Sequence, residues 1–575
     1  MNCNRHQVKS HQGISAAVAL AMFLLLLVSA AVPAQAQTPT VIYNFPAYNG
    51  DTCLPEGVLV QGRDGNMYGT GGCAPGGVNV FGGVYKISPT GVESVIAGFP
   101  TGWAGCNSGL TVGSDGNFYG TCQSGNSTNF GAIYRVTPSG VFTDLHDFTN
   151  VTGDAFPEQP PIQASDGNFY GTTGTPELGV CGTVYQLTAA GKYKTLHTFS
   201  GNDCHSSILF QASDGNLYGT LSSCSIAGTN QGCVYKISTS GVFKEIYGFS
   251  QGTTGSNPCT GVIQGKDGKL YGATNQGGAN GTGDIYKLTT AGGSHTVLHD
   301  FNNPTDASCV NNENANTVLL NLTQVTDGSF YGVNPAYGPS GSGGGSIYKL
   351  TSANVFSAFL FPFPVVKGNS PAGTLIQNTN GLVYGTTPSG GTNSFCTPSS
   401  QCYGTFFSVA TGDAAFVNLE PTQKTGFVGA SVGIFGQGFS SASVVKFGGV
   451  AATLVTLSGT TYITAVVLAG AHTGPVTVTT GATTLTSPQT YKVKPKITSV
   501  TPTSGHVGQL VTINGTGLGQ TSAVKFGAVK ATTVTVVSDS KVTAVVPSGL
   551  AAGAVTISVT TPGGVANSAT KFTVN

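Results

Sequence analysis

The stretch Gln211-Ala-Ser-Asp-Gly-Asn-Leu-Tyr-Gly-Thr220 is one copy of a phrase that recurs through this chain. Its centre, Asp-Gly-x-x-Tyr-Gly, occurs seven times and begins at Asp64, Asp115, Asp166, Asp214, Asp267, Asp327 and, with asparagine leading, Asn380. Successive copies start 51, 51, 48, 53, 60 and 53 residues apart. A regular period of this length is typical of repeat proteins in which each copy forms one small structural unit.

Each copy contains four apolar segments, which predict four strands. In the first copy they cover residues 57–61, 66–70, 83–87 and 93–99. Asp64-Gly65 separates the first two segments and Pro89-Thr90-Gly91 separates the last two, and both sequences are typical of tight turns. Four antiparallel strands repeated seven times predict an all-β fold with a seven-bladed β-propeller over residues 38–412.

The fourth segment ends in phenylalanine in six copies, at Phe99, Phe148, Phe199, Phe249, Phe301 and Phe363. A seventh ending of this kind, Val41-Ile-Tyr-Asn-Phe45, lies ahead of the first copy and has no strands before it. We expect it to supply the outer strand of the last blade, whose other strands fall within residues 373–410. Such a strand closes the ring.

The repeated phrase resembles a known family. Residues 211–220, third strands such as Val234-Tyr-Lys-Ile237 and endings such as Leu196-His-x-Phe199 are similar to the GloVer-type tandem repeat of exported bacterial proteins. More distantly they resemble NHL-like propeller repeats. The resemblance covers about residues 40–412. It implies a propeller fold and secretion, and it carries no catalytic residues.

A second repeat with a period of 79 residues follows. Gly429, Gly436, Phe447, Gly448, Val466, Val467, Gly474 and Val476 recur as Gly508, Gly515, Phe526, Gly527, Val545, Val546, Gly553 and Val555. Alternating Val/Thr segments predict two immunoglobulin-like β-sandwich domains, at residues 413–493 and 494–575. The motifs at 495–505 and 511–517 resemble the IPT/TIG domain, and the first unit matches more loosely. The resemblance implies spacer, adhesive or accessory domains.

The N-terminal segment and the composition indicate an exported protein. Residues 1–37 combine Arg5 and Lys9, an apolar run over 14–32 and the cleavage sequence Ala34-Gln35-Ala36, which is typical of a signal peptide. No later apolar run is long enough to predict a membrane span. Without Arg5 and Lys9, 21 basic residues face 23 acidic ones, a net charge of −2. A dense positive surface is therefore lacking, which excludes nucleic acid as a partner.

The cysteines predict disulfides on one face. Twelve remain after residue 37: Cys53, Cys73, Cys106, Cys122, Cys181, Cys204, Cys224, Cys233, Cys259, Cys309, Cys396 and Cys402. Each lies before a first strand or between a second and a third, and these connections share one end of an antiparallel blade. We call this end the cysteine face, and the opposite end the Asp-Gly face. The predicted pairs are 53–73, 106–122, 224–233, 396–402, 181–204 and 259–309, with 204–224 as a rival. A zinc site is the alternative, but a C-x-x-C pair is missing.

A ligand site is expected where the repeat symmetry breaks. The irregular loops of the cysteine face contain the single tryptophan, Trp103, and several polar residues. The predicted ligand-binding residues are Trp103, Glu158, His205 and Glu313, with Asp154, Asp203 and Asp306 nearby in sequence. An aromatic platform beside carboxylates and amides suits a polyhydroxylated ligand. The alternative is that these are ordinary polar loop residues without a role in ligand binding.

Residues repeated in every copy are interpreted first as structural. The aspartate of each Asp-Gly pair is predicted to form the turn, with calcium or acid–base chemistry as the alternative. His146, His197 and His299 are predicted to pack or hydrogen-bond. Six glutamines lie three residues before the turn, with Val112 in the remaining copy: Gln61, Gln163, Gln211, Gln264, Gln324 and Gln377. They either line a channel that holds water, an ion or a sugar, or satisfy strand ends.

These observations favour a non-catalytic binding or adhesion protein, secreted or at the cell surface. The expected partner is an extracellular polysaccharide, or next a surface protein. Catalytic residues, metal ligands and cofactors are not assigned, because the sequence lacks a G-x-S-x-G elbow, an H-E-x-x-H pair and a phosphate loop. An extracellular carbohydrate-active hydrolase or lyase is the first alternative, and a structural surface component is the second.

Overall fold

A computed structural model describes residues 38–45, 53–73, 82–124, 128–150, 154–174, 181–200, 204–224, 231–250, 252, 254–258, 260–301, 322–334, 345–360, 371–391 and 404–575. The predicted signal peptide lies outside them. All of the regular secondary structure in these ranges is β-strand, which confirms the all-β prediction. A helix of the length and apolar character needed to cross a bilayer was not found in them.

Thirty strands precede residue 413. They are β1 (Thr40–Asn44), β2 (Cys53–Gln61), β3 (Met67–Cys73), β4 (Gly83–Ile87), β5 (Glu93–Gly98), β6 (Thr111–Val112), β7 (Phe118–Cys122), β8 (Ala132–Val136), β9 (Phe142–Asp147), β10 (Ile162–Gln163), β11 (Phe169–Thr172), β12 (Thr183–Leu187), β13 (Tyr193–Thr198), β14 (Cys204–Ser206), β15 (Phe210–Gln211), β16 (Leu217–Ser223), β17 (Cys233–Ile237), β18 (Phe243–Gly248), β19 (Ser256–Pro258), β20 (Ile263–Gln264), β21 (Leu270–Gln276), β22 (Asp284–Leu288), β23 (Thr296–Asp300), β24 (Thr323–Gln324), β25 (Phe330–Asn334), β26 (Ser346–Leu350), β27 (Phe356–Leu360), β28 (Ala372–Gln377), β29 (Val383–Thr387) and β30 (Thr405–Val409).

These strands form seven antiparallel sheets, numbered here in chain order. They are sheet 1 (β2–β5), sheet 2 (β6–β9), sheet 3 (β10–β13), sheet 4 (β14–β18), sheet 5 (β19–β23), sheet 6 (β24–β27) and sheet 7 (β28, β29, β30 and β1). In sheet 7, β1 pairs antiparallel with β30, with Thr40 opposite Ser408 and Asn44 opposite Thr405. The leading segment therefore supplies the outer strand of the last sheet, and the arrangement is propeller-like.

The Asp-Gly pairs form the turns between the first two strands of a sheet. In sheet 1, Asp64 Oδ1 accepts the Asn66 backbone N–H at 3.2 Å, and Oδ2 accepts the Tyr68 hydroxyl at 2.8 Å. Gly65 has φ +80°, a conformation that glycine adopts without strain. Equivalent bonds recur at Asp115, Asp166, Asp214 and Asp267. The turn-forming role predicted for these aspartates is confirmed.

The Tyr-Gly pair of the repeat allows close aromatic packing within a sheet and between neighbouring sheets. In sheet 2, Gly120 lies opposite Tyr134 of the neighbouring strand. A Cβ atom at Gly120 would lie 2.3 Å from the Tyr134 hydroxyl and 2.4 Å from Cζ, so glycine leaves the space that the buried ring fills. The preceding Tyr119 stacks on Phe169 of sheet 3, with ring centroids 4.0 Å apart. The glycine of this pair thus leaves room for a ring within its own sheet, and the tyrosine packs its ring against the next sheet.

The six glutamines join neighbouring sheets on the Asp-Gly face. Gln211 of sheet 4 accepts the Ser165 N–H of sheet 3 at 2.7 Å and donates to the Gly215 carbonyl of its own turn at 3.0 Å. Gln163, Gln264, Gln324 and Gln377 repeat both bonds. Gln61 accepts the Thr379 N–H at 3.0 Å, which joins sheet 7 to sheet 1. The interpretation that these amides satisfy strand ends is confirmed.

Aromatic stacking joins the outer strands. His146 stacks on Tyr193 of the next sheet, with ring centroids 3.9 Å apart and planes 5° apart. His197 on Phe243 and His299 on Phe356 repeat the arrangement. The predicted packing role of these histidines is confirmed.

Twenty further strands lie between residues 418 and 574. They are β31 (Asn418–Leu419), β32 (Thr425–Gly426), β33 (Ser431–Phe435), β34 (Val444–Phe447), β35 (Val450–Ala451), β36 (Thr453–Ser458), β37 (Tyr462–Val466), β38 (Gly474–Thr480), β39 (Thr483–Val493), β40 (Lys496–Thr501), β41 (Ser504–Gly505), β42 (Leu510–Thr516), β43 (Ala523–Phe526), β44 (Val529–Lys530), β45 (Val534–Ser538), β46 (Lys541–Val545), β47 (Gly553–Val555), β48 (Ile557–Thr561), β49 (Gly564–Asn567) and β50 (Phe572–Val574).

These strands enclose two separate apolar cores. Phe447 and Phe526, which are equivalent in the 79-residue repeat, are fully buried in one core each. Gly429 and Gly508 also donate equivalent backbone hydrogen bonds, to the carbonyls of Val467 and Val546 at 2.8 and 3.0 Å. The 79-residue repeat in the sequence is therefore also a repeat in the structure.

The first of these units contacts the Asp-Gly face. Gln437 donates to the Thr379 hydroxyl at 2.9 Å, and Thr461 donates to the Arg63 carbonyl at 2.8 Å. Thr379 is 1% exposed, because the C-terminal unit covers the last Asn-Gly turn. Part of the Asp-Gly face is thus occupied by the chain itself, around sheets 7 and 1.

Candidate functional site

Disulfides brace the cysteine face as predicted. Cys106 pairs with Cys122 and Cys224 with Cys233, and Cys181 is also disulfide-bonded. The Cys224–Cys233 bond shows that the rival pair Cys204–Cys224 is wrong. The register of β2 and β3 places Cys53 opposite Cys73. Cys259, Cys309, Cys396 and Cys402 lie outside the described residues, so their pairings stay predictions.

Trp103 is not an open platform, and this prediction is wrong. Its side chain is 5% exposed and packs edge-on against Phe142 and Tyr134, at centroid distances of 5.1 and 6.4 Å. The reason is a gap in the stacking pattern: sheet 1 has Ala97 where sheets 2 and 3 have His146 and His197. The indole packs in the same core as Ala97 and occupies space that the missing ring leaves against Phe142.

The other predicted ligand residues have different outcomes. Glu158 is half-buried and lies just before the first strand of sheet 3, while Asp154 is 6% exposed. His205 lies in β14, and its side chain is not described. Glu313, Asp203 and Asp306 lie outside the described residues. A ligand role for Glu158, His205 and Glu313 stays a prediction.

Glu158 belongs to a set of residues at one structural position. It lies five residues before Gln163, and Glu56 and Asn107 lie five residues before Gln61 and Val112. The first strands run from the cysteine face to the Asp-Gly face, so all three residues are on the cysteine face of sheets 1, 2 and 3. We call Glu56, Asn107 and Glu158 the inner-strand site.

Close contact between first strands positions this site. The Val58 N–H donates to the Ser108 carbonyl at 3.2 Å, and the Leu110 N–H donates to the Val58 carbonyl at 3.0 Å. A Cβ atom at Gly57, which has φ +79°, would lie 2.3 Å from the Asn107 carbonyl oxygen. Glycine at position 57 therefore allows the backbones of sheets 1 and 2 to meet directly.

Two of the three side chains of the site are linked. Asn107 Nδ2 donates to Glu56 Oε2, and both residues are half-buried. Burial raises the pKa of Glu56, and the hydrogen bond from Asn107 offsets part of that increase. The site thus presents a carboxyl group of weakened acidity, an amide and a second glutamate, which together offer hydrogen-bond donors and acceptors.

Gln159 directly follows Glu158 in the sequence. It is 2% exposed, and neither Oε1 nor Nε2 has a hydrogen-bond partner among the described residues. Sheets 2 and 4 have Ser108 and Ser207 at this position, and Ser108 Oγ approaches the Thr121 hydroxyl at 3.1 Å. A buried amide without partners is costly, so Gln159 provides an unsatisfied donor and acceptor at the residue next to Glu158.

The sequence contained a signal for Glu56 and Asn107 that the search for irregular loops missed. Aligning the copies on the glutamine column places Glu56, Asn107 and Glu158 in one column, whereas sheet 4 has Ser206 and sheet 7 has Ala372 there. The carboxylate and amide side chains of this column therefore occur in three consecutive sheets.

One group of three or more candidate metal ligands was found in the described part of the chain. It contains the sulfur atoms of Cys224 and Cys233 and the carboxylate of Glu245. Both sulfurs are in a disulfide, whereas zinc requires thiolates. The expected alternative of a zinc site is not supported at this position.

The sheets, their turns and their links define a disulfide-braced, propeller-like repeat protein with a C-terminal β-domain. The chain belongs to the Gloeobacter/Verrucomicrobia repeat family, whose model matches residues 30–173 and 156–399. An IPT/TIG domain matches residues 495–574. Both resemblances drawn from the sequence are confirmed.

Solved structures also resemble this chain. A streptogramin B lyase is 15% identical, with 64% of this chain and 96% of that chain covered and a TM-score of 0.43. A fungal alcohol oxidase in complex with copper is 12% identical, with coverage of 94% and 100% and a TM-score of 0.45. A surface glycan-binding protein from Prevotella bryantii is 18% identical, with coverage of 28% and 40% and a TM-score of 0.21. No curated protein matches the chain. At such low identities, no activity transfers from these proteins.

Proposed function

We propose that this chain is an exported, non-catalytic binding protein that takes a carbohydrate at the inner-strand site. The observation that carries the proposal is the contact between Glu56, in the first strand of sheet 1, and Asn107, which precedes the first strand of sheet 2, with Glu158 at the same position of the third sheet. Carboxylates and amides offer paired acceptors and donors at the spacing of vicinal hydroxyl groups. The unsatisfied amide of Gln159, the residue after Glu158, offers a further donor and acceptor for such a ligand.

The proposed ligand is held by polar groups rather than by stacking. Trp103 is buried, and the exposed large apolar side chains of the described residues include one aromatic, Phe427, which lies in the C-terminal part. A polyhydroxylated ligand of low affinity fits such a surface, because each hydrogen bond to it replaces one to water and contributes only about 1 kcal/mol net.

The test is a panel of soluble polysaccharides and oligosaccharides assayed on the full chain for retention and for cleavage. Asn107→Ala and Glu56→Gln should each weaken retention of the bound glycan about tenfold, the equivalent of roughly 1.4 kcal/mol. Asn216→Ala, on a turn of the Asp-Gly face, is the matched control and should bind normally. Equal retention by all three variants would contradict the proposed site.

A carbohydrate-active hydrolase or lyase is the second candidate. The raised pKa of Glu56 favours it, because a general acid must hold a proton before it can donate one, and burial favours the protonated form of this carboxyl. A second carboxylate, Glu158, lies two sheets away. Release of new reducing ends or unsaturated products by the wild-type chain, lost in Glu56→Gln, would establish this function in place of simple binding.

We further propose the architecture in which this site works. Residues 38–412 form one seven-bladed ring, and residues 413–493 and 494–575 form two immunoglobulin-like domains that hold it at or outside the cell surface. The seven sheets and the bond between Thr379 and Gln61 support the blade count, and the two apolar cores support the domains. The disulfides support an oxidising compartment. N-terminal sequencing of secreted protein tests cleavage after Ala36 directly.

A further inference from the structure

Sheet 5 contains a fully buried carboxylate that the proposed function does not use. Asp284 begins β22 and is 0% exposed. Its Oδ1 accepts the Thr274 hydroxyl at 2.9 Å, while Oδ2 has no hydrogen-bond partner among the described residues. Burying a charge is costly unless it is paired or binds a cation, so this oxygen requires an explanation.

The position is occupied differently in other sheets. Sheets 3 and 7 have Thr183 and Thr405 there, and each hydroxyl pairs with that of a threonine at or just after the end of the second strand, at 2.9 and 2.8 Å. In sheet 5 the second-strand threonine, Thr274, is retained, but its partner is Asp284. A neutral hydroxyl is therefore sufficient for the hydrogen bond to the opposite threonine, whereas the carboxylate of Asp284 adds a charge.

A second carboxylate lies opposite the first. Asp284 and Asp300 are cross-strand partners between β22 and β23. Asp300 Oδ1 accepts the Ala279 backbone N–H at 2.7 Å, which ties the glycine-rich connection at 277–283 to this carboxylate. Two facing acids repel each other unless a proton or a cation lies between them. Accordingly, burial and the nearby Asp300 raise the pKa of Asp284 to about 7.

The backbone around the pair is shaped by glycine. A Cβ atom at Gly255 would lie 2.6 and 2.8 Å from the two carboxylate oxygens of Asp284, and one at Gly278 would lie 2.8 Å from Asp300 Oδ1. Both residues have positive φ. The main chain therefore approaches both carboxylates closely, which places peptide groups beside them.

We propose that Asp284 and Asp300 hold a divalent cation at the cysteine end of sheet 5, and that this cation is Ca²⁺. Ca²⁺ accepts carboxylate, backbone carbonyl and water oxygens in flexible arrangements, whereas Mg²⁺ demands near-ideal octahedral geometry, so an irregular oxygen site of this kind favours Ca²⁺. The cation would neutralise the buried charge of Asp284 and fix the connection between the second and third strands. The site lies apart from the inner-strand site, on another sheet.

Terbium luminescence tests this proposal, because Tb³⁺ replaces Ca²⁺ and is excited by nearby tyrosines. Tyr247 and Tyr286 both interact electrostatically with Asp284, so they lie close enough to sensitise it. The full chain should show saturable Tb³⁺ emission on excitation of tyrosine, and Ca²⁺ but not Mg²⁺ should displace it. Ca²⁺ should also raise the melting temperature relative to chelator.

Two variants and one control sharpen the test. Asp284→Thr restores the residue of sheets 3 and 7 and should lower Tb³⁺ affinity about 100-fold while the protein stays folded. Asp300→Asn should lower it as well, which covers the case in which the first variant fails to fold. Asp147→Asn changes the equivalent of Asp300 in sheet 2, opposite Ala132, and should bind as the wild type does. Absence of saturable emission from the wild type, or unchanged affinity in Asp284→Thr and Asp300→Asn, would overturn the proposal.

Discussion

Arg63 of the first Asp-Gly turn lies against Glu420 of the C-terminal part, with Nη2 and Nε donating to the same carboxylate oxygen, Oε1, at 2.9 and 3.1 Å. Tyr462 donates to that oxygen at 2.9 Å, and its ring lies 4.5 Å below the guanidinium. Arg63 also donates to the Ser114 carbonyl of sheet 2 at 2.7 Å. It thus joins three parts of the chain.

This contact occurs where the glutamine pattern fails. Sheet 2 has Val112 in place of the glutamine that would accept the backbone N–H of Arg63. The Arg63 side chain replaces that link and adds a partner in the C-terminal unit. The one irregular joint of the ring of glutamines is therefore also the docking point of the next domain.

Arg63→Ala should detach the C-terminal unit from the Asp-Gly face. The Glu420 side chain is 0% exposed, and burial already raises its pKa, so removal of the cation leaves an uncompensated buried charge. We expect a loss of about 3 kcal/mol in the free energy of unfolding of that unit, measured by urea denaturation. Arg63→Ala combined with Glu420→Gln should recover part of the loss. Equal stability of the single and double variants would argue against the ion pair.

Gly120→Ala should destabilise the repeat more than a glycine substitution in a turn does. The added methyl group would meet the ring of Tyr134 within 2.4 Å, and a buried ring cannot move aside in a packed core. We expect a loss of about 3 kcal/mol by thermal denaturation. Gly167→Ala is the control, because φ is +84° but its Cβ would meet nothing within 4 Å, so only about 1 kcal/mol of strain applies. Equal effects would refute the packing explanation.

Trp103→Ala should reduce stability and leave the ligand site chemically intact. Removing a buried indole that packs against Phe142 and Tyr134 creates a cavity, which costs about 3–5 kcal/mol. Trp103→Phe should restore most of the stability. Glycan retention per folded molecule, measured well below the melting temperature, should match the wild type. A specific loss of retention in a folded Trp103→Phe variant would instead assign Trp103 to the ligand site.

Stability in the presence of a chelator should fall as the pH rises from about 4 to about 7. Burial raises the pKa of Asp284 from 3.8 to about 7, so in this interval the folded chain binds a proton that the unfolded chain releases. The groups that face it are Asp300, Tyr247 and Tyr286. The contribution is at most about 4 kcal/mol and should be absent in Asp284→Asn. Urea denaturation of both proteins at pH 4.5, 6 and 8 measures the difference, and identical pH profiles would contradict it.

Much of the repeat was predictable because its chemistry is local. Asp64 accepts hydrogen bonds from Asn66 and Tyr68 within five consecutive residues, and the spacing of Asp64, Gly65 and Tyr68 alone predicts the turn. The cysteine pairs 106–122 and 224–233 followed from the same logic, since an antiparallel blade brings its two cysteine-bearing connections to one end. The pairing of β1 with β30 agrees with the phenylalanine endings, because a closed ring leaves one outer strand to be supplied from elsewhere.

The candidate site was predicted less well. A lone tryptophan in an irregular loop gave no indication that Ala97 had left space for it in the neighbouring core. Glu56 and Asn107 belong to separate copies, and their contact depends on two first strands meeting edge to edge.

The sequence by itself determined the repeat, its turns, the all-β class and the second repeat at the C-terminus, because each depends on residues a few positions apart. Only the tertiary structure decided that Trp103 is buried, that Arg63 holds Glu420, and that Asp284 faces Asp300 inside a sheet. Burial and pairing between distant residues depend on how sheets pack, and the environment that shifts a pKa or fills a cavity exists only after that packing has formed.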